Sequence, residues 1–173
     1  MSEADKIRFN RRQAIAGSAA LVLSASAGAG VRVTPEPAVA AALAESPLIY
    51  LSPLVSGGRE SSCHAEVWFV QQKDDIFVVT WAEKWRARAM RRGFKRARMW
   101  IGAFGVWSPG KDDYRGAPSA EIEGRFESDP ALHAALLAEF SKKYQSQWAA
   151  WDQRVRNGLT DGGWVLLHYW LVG

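Results

Sequence analysis

The amino-acid sequence predicts an α+β domain of six antiparallel strands, with a short helix after the third strand and a longer helix before the last. Three observations carry this expectation. Runs of period-two alternation recur from Leu48 onward, and the period switches to a helical one after Thr80. Ser128-Asp129-Pro130 then supplies an N-cap and a first-turn proline for a second helical stretch. The chain has 173 residues, 48% of them hydrophobic, which suffices for one domain with a sizeable core and falls short of two ordinary ones.

The first strand runs from Leu48 to Leu54 and is closed by Ser56-Gly57-Gly58, a turn-forming cluster. In the second run, Ser62 to Val70, Cys63, Ala65, Val67 and Phe69 point one way and His64, Glu66 and Trp68 the other. This places Cys63 inside as a small buried hydrophobe. Lys73-Asp74-Asp75 turns the chain into Ile76 to Thr80, whose unbroken apolar character predicts a strand covered on both faces. In the short helix Ala87, Met90 and Phe94 lie opposite Arg88, Arg91 and Arg92, and Gly93 provides a stop. The fourth strand, Arg96 to Phe104, alternates Ala97, Met99 and Ile101 against Arg96, Arg98 and Trp100, and a loop rich in Gly, Pro and Asp follows it.

The fifth strand, Ser119 to Glu127, sets Ala120, Ile122, Gly124 and Phe126 against a charged face. Leu132, Leu136, Phe140, Tyr144, Trp148, Trp151 and Val155 then recur at spacings of three or four, predicting one long helix that Asn157-Gly158 ends. After Asp161-Gly162-Gly163 the run from Trp164 to Val172 is apolar on both faces and reads as a buried closing strand.

The N-terminal region reads as an address. Arg8-Phe9-Asn10-Arg11-Arg12-Gln13 precedes a mild apolar stretch from Ala14 to Ala29, the pattern of a twin-arginine signal, and Ala25-Ser26-Ala27 offers a small-residue cleavage site. The stretch is too short and too polar for a transmembrane helix. Val31 to Ala44, with Pro35-Glu36-Pro37 and its alanines, reads as a linker. The expected division is residues 1–44 for signal and linker and 45–173 for the domain, in a protein exported to the periplasm or beyond.

Cys63 is the only cysteine, which excludes an intramolecular disulfide and any multi-cysteine zinc or iron–sulfur site within one chain. Nine tryptophans exceed what such a core needs and predict an aromatic pocket or a subunit interface. The net charge of +4 is too modest to choose an acidic partner, so local clustering must choose. At the end of the third strand, Thr80 is followed by Lys84-Trp85-Arg86. A strand-to-helix junction aims free backbone N–H groups outward, and a hydroxyl with a fixed cation nearby completes an anion site. The wider basic cluster, which continues through Arg88, Arg91, Arg92, Lys95, Arg96 and Arg98, is equally compatible with a solvated face. Interleaved with Trp85, Phe94 and Trp100 it also has the composition of a nucleic-acid surface, against which export argues. His64 stands open between a base, a haem ligand and a packed strand residue. His133 is expected at the surface and His168 in the core.

This order of elements resembles the flavin-binding split barrel of the pyridoxamine 5'-phosphate oxidase-like superfamily, from Leu48 onward. The most specific part is Ile76-Phe77-Val78-Val79-Thr80 followed by Lys84-Trp85-Arg86. The resemblance implies a six-stranded antiparallel split barrel, a homodimer, and FMN or a deazaflavin as cofactor. It makes Thr80 the hydroxyl-bearing residue at the strand end and Arg86 the counterpart of the family's phosphate-binding lysine. Lys84 stands where serine is common and adds a second cation to the implied phosphate site, so the flavin is expected to be held through Thr80, Lys84 and Arg86 with Trp85 between the two cations, and Ala89 replaces a frequent asparagine. Arg for Lys keeps the charge and gains a fork of donors. His64 to Phe69 matches the stretch that lines the isoalloxazine ring, so His64, Val67 and Trp68 join the expected site, with Trp68 as the ring's aromatic neighbour. The implied activity is that of an oxidoreductase acting on a small molecule, with no assignable catalytic acid or base. The alternative is a non-catalytic flavin or haem carrier of the same fold. No nucleic-acid partner and no membrane span beyond the signal region are expected.

Overall fold

The structure, a computed structural model, describes residues 30–173; the twin-arginine motif and the apolar run after it lie outside the described residues. The strands are β1 (Leu48–Val55), β2 (Arg59–Glu60), β3 (Ala65–Trp68), β4 (Val70–Gln72), β5 (Asp75–Trp81), β6 (Arg96–Ile101), β7 (Ser119–Glu127) and β8 (Trp164–Leu171). The helices are α1 (Pro37–Glu45), α2 (Trp85–Arg91), α3 (Pro130–Ala149) and α4 (Asp152–Asp161). None of them is long and apolar enough to cross a membrane.

All strand pairings are antiparallel, in the order β2-β1-β6-β7-β8-β5-β4, with β3 also on β1. Every predicted strand is present, but the expected six-stranded barrel is corrected to an eight-stranded sheet that does not close. One added strand is the two-residue β2. The other arises because the second predicted run breaks at Phe69: β3 before it pairs with β1, and β4 after it pairs with β5. One stretch of chain therefore spans both edges of the sheet without joining them by a ladder.

The pleat sorts the side chains as the alternation predicts. Ile76 and Val78 enter a core with Ile49, Leu51, Val67, Met99, Ile122 and Leu167. Phe77 and Val79 point the other way, with Leu166, against Leu136, Phe140, Tyr144 and Trp148 of α3 and Val155 of α4. A third cluster gathers Tyr50, Trp100 and Tyr114. As expected, Gly93 follows α2 with φ 89°, a conformation glycine adopts freely. The Asp129 carboxylate caps α3 by accepting the Ala131 N–H at 2.9 Å.

Three regions differ from the sequence expectation. The single long helix is divided: α3 contains a break at Gln145 (φ 43°) and ends at Ala149, and α4 continues to Asp161, where Gly162 (φ 82°) terminates it. Gly158 is not a stop, because it lies inside α4 where the Trp164 ring packs against its Cα and a Cβ would collide with that ring. Residues 31–44, expected as linker, are packed on the domain: Val39 and Leu43 of α1 are buried in the first core, and the Val33 N–H donates to the Leu171 carbonyl at 3.1 Å. Finally, Cys63 is exposed, since it precedes β3 and the alternation does not extend to it.

Candidate functional site

The break at Phe69 leaves two backbone edges without strand partners. β5 runs beyond β4, so Val78 to Trp81 pair only with β8, and β3 pairs only with β1. Between these edges and the helices lies a cavity of about 320 Å³, at the small end of the range for small-molecule sites. Its walls are Glu66, Val67 and Trp68 of β3, Val79, Thr80 and Trp81 of β5, Trp148 and Trp151 beside Val155 of α4, and Trp164 of β8, with Leu48, Lys84 and Arg86. Unpaired strand edges present N–H and C=O groups that a planar polar ligand can engage.

Arg86 dominates the electrostatics of the cavity. Its guanidinium donates to the Thr80 hydroxyl at 2.5 Å and has no ion-pair partner among the described residues, whereas Arg96 and Arg98 share Glu121. Burial pulls the Arg86 pKa below the ordinary arginine value, partly offset by Tyr169 and Cys63 nearby. The guanidinium stays charged, and a desolvated cation without an anion is costly unless a ligand completes it. Lys84 lies at the rim, exposed, with Nζ 4.8 Å from the centroid of the Trp81 ring.

Five of the nine tryptophans line the cavity. Trp68 stacks on Tyr144 at 4.9 Å, and Trp81, Trp151 and Trp164 form a mutually packed trio with centroids 5.1–6.2 Å apart. One carboxylate, Glu66, also reaches the lining, but its Oε1 accepts the N–H groups of Phe104 and Gly105 at 2.7 and 2.8 Å. It therefore holds the loop after β6 and does not neutralise Arg86.

Of the residues the sequence picks out, Val67, Trp68, Thr80, Lys84 and Arg86 come together in this cavity, while His64 and Trp85 lie outside its lining. His64 packs among Tyr50, Trp100, Trp107 and Tyr114, with ring centroids 5.2–6.3 Å away, and burial pulls its pKa below the ordinary histidine value. Trp85 lies under the Arg92 guanidinium at 5.5 Å. His168 is buried as predicted, and His133 is half-buried, with Nε2 2.9 Å from the Glu127 carbonyl. The residues that sequence reasoning missed are Glu66, Trp81, Trp148, Trp151 and Trp164. The surplus of tryptophan was their signal, but it carried no position.

No protein-family model and no curated protein sequence matches the chain. Solved structures match its architecture. HutZ, the heme storage protein from Vibrio cholerae, superposes with a TM-score of 0.55 at 12% identity, over 82% of this chain and 92% of HutZ. The chain has the split-barrel fold. Campylobacter jejuni ChuZ gives 0.52 at 8% identity over 77% of this chain and 51% of its own. A candidate 5-nitroimidazole antibiotic resistance protein from Bacteroides thetaiotaomicron gives 0.51 at 9% identity over 83% of each chain. At such identities the likeness concerns the fold alone, and chemistry must be argued from the site.

Proposed function

We propose that this split barrel binds a flavin, FMN or a deazaflavin, and works as an oxidoreductase on a small molecule. The observation that carries the reading is the Arg86 guanidinium, held on Thr80 in a tryptophan-lined cavity and without an ion-pair partner among the described residues. A phosphate there accepts from the free donors of the fork, and the Thr80 hydroxyl fixes the fork's angle. The indoles exclude water and offer flat apolar faces to a ring system, and the unpaired edges of β3 and β5 offer backbone groups to its polar rim. When bound, the flavin supplies hydride or single-electron transfer.

The alternative, a haem carrier, shares its fold with HutZ. Among the described residues the cavity lining contains no His, Cys, Met or Tyr, the side chains that usually hold haem iron, and this favours the flavin. Export through the twin-arginine route, with FMN loaded before translocation, and a homodimer belong to the same proposal.

Titration of the purified chain with FMN, followed by flavin fluorescence and visible absorbance, tests the reading. Arg86→Ala is expected to weaken FMN binding by about tenfold to a hundredfold, with Arg86→Lys intermediate. A Soret band with haem and no flavin uptake would instead establish the carrier.

A further inference from the structure

Resting on the flavin reading, the geometry points to a second role at the rim of the same cavity: Lys84 and Trp81 form the seat of the other reactant, a flat conjugated carboxylate. The two cations that the sequence groups together are divided by the fold. Arg86 lies deep and is committed to Thr80, whereas Lys84 is exposed and leans over the Trp81 ring, with no ion-pair partner among the described residues.

Trp81 itself is unusual. It is 38% exposed, although the neighbouring β5 residues Ile76 to Thr80 are all buried, and Trp151 and Trp164 pack against it. A large indole kept partly in water at a cavity mouth provides a stacking platform. The exposed Lys84 side chain swings from that face toward its edge when a ring stacks there, and its ammonium then adds a charge-assisted hydrogen bond to an anion on the ring. Glu66, the one acid in the lining among the described residues, holds Phe104 and Gly105 through Oε1 and forms no ion pair with Lys84. A flavin phosphate on Arg86 and a carboxylate on Lys84 thus divide one electropositive cavity between a deep ligand and a rim ligand. This division also explains why a lysine is useful at position 84 in addition to the cation at 86.

The experiment uses the full chain, with and without FMN, and titrates 2-naphthoate and its neutral counterpart 2-naphthamide by calorimetry. The naphthoate is expected to bind about tenfold tighter than the amide. Lys84→Met, which keeps the stem over Trp81 and removes the charge, is expected to abolish that preference while weakening FMN by much less than Arg86→Ala does. The seat is refuted if the wild-type chain shows no preference for the carboxylate, or if the preference survives Lys84→Met. It is refuted equally if Lys84→Met weakens FMN as much as Arg86→Ala does, since Lys84 then belongs to the phosphate clamp. If the chain takes up no FMN yet shows a Lys84-dependent preference for naphthoate, the flavin reading fails and the rim seat stands.

Discussion

The Tyr144 hydroxyl accepts the Phe69 N–H at 2.8 Å and lies 2.8 Å from the Phe69 carbonyl oxygen and 2.7 Å from that of Pro47, one of which takes its proton. Phe69 is the residue at which the chain leaves β1 and joins β5, so its backbone groups have lost one ladder and not yet entered the next. A side chain 75 residues away supplies what the sheet cannot. The phenol stands in for a strand partner where the chain passes from one edge of the sheet to the other.

Tyr144→Phe removes the hydroxyl and leaves a buried N–H without an acceptor. A loss of about 1–3 kcal/mol is expected in urea unfolding, because an orphaned buried donor bears its full desolvation penalty. A midpoint equal to that of the parent would show that water replaces the phenol.

Leu43 tests how far the domain extends toward the N-terminus. It is 2% exposed and sits in the core beneath the sheet, so Leu43→Ala is expected to cost about 2–5 kcal/mol. If residues 31–44 were only a linker, thermal unfolding would not respond.

Gly158→Ala probes the close approach of Trp164 to α4. Alanine favours a helix interior by about 1 kcal/mol over glycine, while forcing the ring aside costs about 1–3 kcal/mol, for a net loss of up to about 2 kcal/mol. Because Trp164 lines the cavity, near-ultraviolet circular dichroism and FMN affinity are expected to change together.

Glu127 gives the fold an acid limb. Burial raises its pKa, but the N–H groups of Asp129 and Ser128, His168 and Arg125 outweigh burial and hold it below the ordinary value. A carboxylate depressed in the folded state contributes stability above its unfolded pKa and loses it as pH falls through the folded one. Glu127→Gln is therefore expected to destabilise the protein at pH 7 by about 1–3 kcal/mol. The gap from the parent should narrow as pH drops below the ordinary glutamate value of 4.5. A gap independent of pH in urea midpoints would assign the effect to packing.

The local signals were read well where their cause is local. Alternation at Ala97, Met99 and Ile101, the turn chemistry of Gly93 and the cap at Asp129 each depend on near neighbours, and the structure shows each as expected. The pairing of Thr80 with Arg86 was also legible, since six residues separate them across one strand-to-helix turn.

By itself the sequence determined the alternation along the strands, the place of α2 and the start of α3, because period and capping act over a few residues. Only the tertiary structure decided that the second strand divides at Phe69, that α1 joins the core, and that Trp148, Trp151 and Trp164 face Trp68 across one cavity. Those outcomes rest on contacts between residues far apart in the chain. The chain changes strand partners at Phe69 where a distant side chain, Tyr144, satisfies the backbone groups that no ladder holds.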